Sequence, residues 1–260
     1  SNIPDLVRLS AEVGAEVVQV GIGDPTHGAW DEGADFVGAL QASGLELSGT
    51  MIGFPGEDYT SPATIRETGG FGDPALRAGR LEIFRYAVDK TAELGLQCLC
   101  SHAGFIPEED GPERSSFLDC IAEAAQYAGD KDVLFTMETG QETAALLRRT
   151  LDELKLPSLR VNFDPANMIL YDMGDPIEAI EILGPDIAHV HAKDANPPQT
   201  NGEWGEEVPL GDGSVGMAAF AEALAKAGYR GPLVVEREVG DQAERIAAIK
   251  HGISVLRELT

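Results

Sequence analysis

The side chains able to do chemistry sit at the ends of apolar runs. Ile187 to Asp194 reads IAHVHAKD. As a strand it alternates faces, so His189, His191 and Lys193 share one side and Ala188, Val190 and Ala192 the other. Three more runs finish on acids: DVLFTMET carries Glu138, LRVNFD ends on Asp164 and PLVVERE carries Glu236. Parity puts Glu138 on one face with Leu134 and Thr136, Asp164 with Asn162, and Glu236 with Val234 and Glu238. Two glutamates, an aspartate and an imidazole form a nitrogen and oxygen donor set of intermediate hardness. It suits Mn²⁺, Mg²⁺, Co²⁺ or Zn²⁺ and offers no thiolate to favour softer metals. Three clustered acids without a cation would repel one another and raise their own pKa values, so one divalent ion is expected among them. A single acid at a strand end is most often a helix N-cap or a solvated loop residue. The metal reading rests on four coordinating side chains at the ends of four separate strands.

The neighbouring polar residues sort by position. His191 lies nearer the carboxyl end of its strand and is the expected ligand; His189 is expected to be a hydrogen-bonded interior histidine. Lys193 either neutralises developing oxyanion charge or pairs with a nearby carboxylate, and the sequence leaves both open. Glu238 lies just past its strand and reads as an ion pair or substrate contact. His102, closing LQCLCSHAG, points to the same mouth and is a candidate substrate contact. For Phe105 and Trp204 packing is the expected role, an apolar wall of a ligand site the alternative. His27 and His251 read as surface residues, and Cys98, Cys100 and Cys120 as reduced thiols.

Elements that would position these groups alternate along the chain. Strands are expected over 16–22, 45–54, 96–104, 132–139, 159–164, 187–193 and 232–236. Helices are expected over 3–13, 31–42, from Asp73-Pro74 to about Leu94, from Ser115 or Ser116 to about Ala128, and over 141–154. Three more follow, from Asp175-Pro176 to Leu183, over 217–227 and over 241–259. Residues 54–72 read as a long loop, and 194–216 as a glycine- and proline-rich loop long enough to be a lid. Alternating strands and helices mark parallel βαβ units in one domain spanning 1–260. A doubly wound open sheet accommodates the pattern, but a (β/α)8 TIM barrel fits the length and the strand-end acids better. An eight-stranded barrel needs one more strand. Because the chain opens on a helix, that strand is expected upstream of Ser1 or absent.

Composition narrows the partners. Asp plus Glu number 44 against 19 Lys plus Arg, a formal charge of −25 that repels nucleic-acid phosphates and anionic membranes. No apolar run reaches membrane-spanning length and no signal-peptide pattern opens the sequence, which reads as cytoplasmic.

Five segments carry a resemblance: SHAGFIPEE from Ser101, METGQET from Met137, VNFDPANMILY from Val161, HVHAKDA from His189 and VVEREVG from Val234. In these the chain resembles the xylose-isomerase-like TIM-barrel superfamily, the sugar phosphate isomerases and epimerases. The resemblance implies one divalent metal, Mn²⁺ favoured, held by Glu138, Asp164, His191 and Glu236. By likeness to ketose 3-epimerases, Glu138 and Glu236 would also move protons on opposite faces of a ketose or keto-sugar through a cis-enediolate. It further implies a small-molecule sugar substrate and a homodimer. Asn167 stands where those epimerases often carry a histidine, so substrate recognition there is expected to differ, and no arginine follows the metal histidine. Abasic-site endonucleases, also related, use more metals and histidines, and Asn167 and the charge of −25 speak against that activity. No Lys/Arg cluster marks a phosphate site. The run Gly211-Asp212-Gly213-Ser214 could offer backbone N–H groups, but Asp212 would repel an anion. An unphosphorylated ketose or a 3-keto-glycoside fits better. The alternatives are a metal-dependent keto-sugar lyase or dehydratase, and a sugar-binding barrel without chemistry.

Overall fold

The computed structural model describes residues 2–25, 28, 30, 31 and 33–259. In chain order the strands are β1 (Val18–Gly21), β2 (Leu47–Met51), β3 (Cys98–Ser101), β4 (Leu134–Glu138), β5 (Leu159–Phe163), β6 (Ile187–Ala192), β7 (Asp194–Asn196), β8 (Glu206–Val208) and β9 (Leu233–Val235). The helices are α1 (Ile3–Val13), α2 (Phe36–Ala42), α3 (Pro62–Thr68), α4 (Arg77–Glu93), α5 (Pro112–Gly129), α6 (Ala144–Leu154), α7 (Pro165–Leu170), α8 (Pro176–Leu183), α9 (Met217–Lys226) and α10 (Gln242–Leu259). Seven strands form one parallel sheet in the order β1-β2-β3-β4-β5-β6-β9. This is a nearly closed α/β TIM barrel. Its strands pack through Val20, Leu99, Phe135, Val161, Phe163 and Val190, all buried. β1 and β9 do not pair among the described residues, and between them lies a cavity of about 670 Å³. Leu6, Val18, Leu224, Leu233, Ile249 and Ile253 make its wall apolar. An eighth strand would stand there in a closed barrel. No helix among the described residues is long and apolar enough to cross a membrane.

Local chemistry sets several boundaries. Asn2 caps α1 by accepting the Asp5 N–H at 2.8 Å, and Asp175 caps α8 through the N–H groups of Ile177 and Glu178. Both helices cover the expected residues. Elsewhere the expectations need correction. Asp73-Pro74 opens a turn, with Asp73 accepting the Ala75 N–H, and α4 starts only at Arg77. α5 begins at Pro112, ahead of the expected serine caps, because proline pre-sets the helical φ; Ser116 instead accepts a bond from Arg77 at 2.7 Å. The expected loop 54–72 contains α3, opened by a capping box between Ser61 and Thr64. The expected lid, 194–216, holds an antiparallel ribbon in which β7 pairs with β8.

Candidate metal centre

Four strands deliver four donors to one point. Glu138 ends β4, Asp164 follows β5, His191 lies on β6, and Glu236 follows β9 while its N–H still bonds Ala192 O of β6 at 3.1 Å. Their ligand atoms lie within 4.8 Å of one another. His191 Nδ1 is 2.9 Å from Glu138 Oε1, 3.5 Å from Glu236 Oε2 and 4.0 Å from Asp164 Oδ2. Glu138, Asp164 and His191 are buried and Glu236 half-buried.

Asp164 holds two roles at once. Oδ1 caps α7 by accepting the Asn167 N–H at 2.9 Å, while Oδ2, buried among the other donors, has no hydrogen-bond partner. The bland reading of a strand-end acid as an N-cap is therefore correct for one oxygen and leaves the other available. A buried carboxylate oxygen without a partner is costly, and a divalent cation would satisfy it. The residues fit such an ion. Electrostatics agree: burial first, then the charges of Glu236 and Glu138, push Asp164 up to about 8 against the pull of Lys193. Burial also opposes charge on Glu138, but His102, His191 and Lys193 outweigh it and hold that carboxyl well below the usual range. Burial opposes charge on His191 too, yet Glu236 and Glu138 carry it up to about 9.

The family model of the xylose isomerase-like TIM barrel matches residues 7–259. The chain belongs to that family. A xylose isomerase domain protein from Planctomyces limnophilus superposes with a TM-score of 0.91 at 31% identity, covering 97% of this chain and 91% of that one. L-ribulose-5-phosphate 3-epimerase UlaE of Escherichia coli K12 is 28% identical over 173 residues, 64% of this chain and 59% of its own length. The match thus spans less than two thirds of that curated relative. The 3-keto-D-glucoside 4-epimerase YcjR from E. coli shares the fold, with a TM-score of 0.71 at 18% identity over 99% of this chain and 95% of its own.

Around the donors of this xylose isomerase-like barrel, the other expected site residues converge. Lys193 Nζ lies 3.1 Å from Glu236 Oε2 and 3.9 Å from Asp164 Oδ2 and pairs with Glu238. Of the two roles left open, carboxylate pairing is the one the structure displays. Asn167 donates to Glu138 Oε1 at 3.2 Å and accepts from Lys193 at 3.4 Å. Its place is tight: Gly140 has φ 136°, and a Cβ there would come within 2.6 Å of the Asn167 Cβ. His102 Nε2 lies 3.6 Å from Glu138 Oε2, and its buried Nδ1 has no partner. His189 is an interior residue, with Nδ1 2.7 Å from Asn162 Oδ1 and Nε2 3.0 Å from Ser48 Oγ. Phe105 packs on Tyr171 at 5.9 Å and Tyr171 on Trp204 at 4.7 Å, a row of aromatic rings from three loops. His251 is exposed, and His27 lies outside the described residues.

Some participants were not anticipated. Cys100, expected only to be a reduced thiol, donates to Glu138 Oε2 at 3.4 Å; its shared parity with His102 was the available signal. Gln19 reaches His191 from β1, and an amide inside the apolar run VVQVGI could have flagged it. The backbone N–H groups near Gly211-Asp212-Gly213-Ser214 have an internal occupant. Asp194, buried at the start of β7, accepts from Ala195, Gly211, Gly213 and Val215 at 2.9, 3.0, 3.0 and 3.1 Å. A side chain at 213 would collide with that carboxylate, so glycine is required by the close approach.

Proposed function

We propose that this chain is a divalent-metal-dependent epimerase or isomerase of a ketose or keto-sugar. The observation that carries the reading is the convergence of Glu138, Asp164, His191 and Glu236 around a buried oxygen, Asp164 Oδ2, that has no hydrogen-bond partner. A bound divalent ion, Mn²⁺ before Mg²⁺, Co²⁺ or Zn²⁺, supplies positive charge that favours an enediolate over a free carbanion. The proton transfers belong to the protein. Glu138 comes from β4 and Glu236 from the end of β9, with β5 and β6 between them. A substrate carbon held between the two carboxylates meets one on each face. One takes the proton α to the carbonyl, and the other, carrying a proton, returns it from the far side and inverts the carbon. Lys193 holds Glu236 and Glu238 in place, while Asn167 ties Lys193 to Glu138. In this reading His102, whose Nδ1 has no hydrogen-bond partner, and Glu238 are the candidate contacts to sugar hydroxyls.

An unphosphorylated substrate, a free ketose or a 3-keto-glycoside, suits this mouth. The backbone N–H groups that could have received a phosphate already bind Asp194, and Lys193 is committed to acids. Similarity to a 3-keto-glucoside epimerase supports the glycoside, whereas UlaE acts on a phosphorylated pentulose. The test is a panel of ketoses and 3-keto-glycosides, with and without 5-phosphate, incubated with Mn²⁺ in heavy water and read by NMR. Expected is inversion at one carbon with deuterium incorporated there. Inversion without exchange would point to hydride transfer, a dehydrated product to elimination, and no turnover by the metal-loaded protein would refute the enzyme.

A further inference from the structure

His191 shows only one of its nitrogens to the acids. Nδ1 faces Glu138, Glu236 and Asp164, while Nε2 points the opposite way, to Gln19 Oε1 at 2.6 Å. Gln19 stands on β1, across the barrel from β6 and at the edge of the open seam. It supplies no acid, and its amide is itself oriented. Gln19 Nε2 donates to the backbone carbonyl of Thr50 on β2 at 3.3 Å. A carbonyl can only accept, so the NH₂ end of the amide must face Thr50 and the oxygen must face His191. That oxygen also only accepts. Nε2 of His191 therefore keeps its hydrogen, and the proton a cation would displace is the one Nδ1 shares with Glu138, which leaves the coordinating lone pair on Nδ1.

We propose that Gln19 is a positioning residue for the metal centre: through the chain Thr50 carbonyl, Gln19 amide and imidazole, it holds His191 with Nε2 protonated and Nδ1 presented to the metal. The inference rests on the metal reading above and adds to it the ligand atom and the group that selects it. Without Gln19, nothing described at Nε2 distinguishes the two tautomers or opposes rotation of the ring. His189, two residues earlier on the same strand, has its own partners in Asn162 and Ser48 and does not replace Gln19.

The experiment is calorimetric titration of the metal-free protein with Mn²⁺ for wild type, Gln19→Leu and Gln19→Glu. Removing the hydrogen-bond partner of a metal-bound histidine typically weakens metal affinity by about 10–100-fold. That loss is expected for Gln19→Leu, whereas Gln19→Glu, which keeps an acceptor on Nε2–H but loses the donor to the Thr50 carbonyl, is expected to bind more tightly than Gln19→Leu and less tightly than wild type. A second measurement needs no variant: ¹⁵N-histidine NMR of the Zn²⁺-loaded wild type, where His191 should show a directly bonded hydrogen on Nε2 and none on Nδ1. Wild-type binding with Gln19→Leu within about threefold of it would overturn the role of Gln19 alone. A hydrogen found on Nδ1 in the loaded protein would do the same. A wild type that binds no divalent ion would overturn the metal reading and this inference with it.

Discussion

Replacing Asp164 by Asn should stabilise the metal-free protein and remove its response to metal. Asparagine caps a helix as well as aspartate, so the bond from the Asn167 N–H can persist through Oδ1. The change falls on the other atom, the buried oxygen without a partner. In the native protein burial and the neighbouring acids push this carboxyl up to about 8 from an ordinary 3.8. The folded state thus holds its proton more tightly than the unfolded chain. Its contribution to stability is fully present below 3.8 and is lost as pH rises toward about 8. At about 1.4 kcal/mol per pH unit, the loss at pH 7 is on the order of 4 kcal/mol. Asparagine cannot ionise and escapes it. Urea unfolding in chelator should therefore find Asp164→Asn more stable than wild type by up to about 4 kcal/mol at pH 7, the gap closing near pH 4. Mn²⁺ at a hundredfold its dissociation constant should add about 2.7 kcal/mol to wild type and much less to the variant. A variant no more stable than wild type in chelator would refute the electrostatic argument. One that gains as much from Mn²⁺ would remove Asp164 from the ligand set.

Three other substitutions probe separate parts of the site. Lys193→Ala should lower turnover by about 100-fold or more with metal content intact, because it removes a cation beside the acids and none of the four donors; loss of metal measured by elemental analysis would show a different role. Burial, then the charge of His191, holds His189 down at about 3, so its neutral form favours the folded state above about pH 6.5 and that support is lost as pH falls toward 3. His189→Gln should accordingly flatten the acid side of the stability profile by about 1.4 kcal/mol per pH unit in that window, and an unchanged slope would contradict the assignment. Asp194→Ala strips the partner from the N–H groups of Gly211, Gly213 and Val215 and should cost about 2–4 kcal/mol in urea unfolding, with faster proteolysis between β7 and α9; a loss below about 1 kcal/mol would mean that water replaces the carboxylate.

Much of the donor set was legible in the linear chain because strand parity and strand ends are local properties. Glu138, Asp164 and His191 close apolar runs, and a parallel barrel brings such ends to one rim whatever lies between them. The caps of α1 and α8 were legible for the same reason: Asn2 and Asp175 act on N–H groups two or three residues away. Helices α3 and α7 were harder. Each is short, and glycine, proline and threonine around them read as loop until a cap and the barrel wall stabilise the turns. What only the tertiary structure decided is how side chains divide their bonding capacity. Asp164 is one letter in the sequence, yet its two oxygens have different jobs because α7 starts on one side of it and β6 and β9 bring their donors to the other. Gln19 and His191 are 172 residues apart, and only the packing of β1 across the barrel from β6 lets the amide touch the imidazole. The residue types and strand ends specify which groups reach the rim, but hydrogen-bond direction depends on which atoms face one another, and that is set by how the curved sheet brings β1 opposite β6.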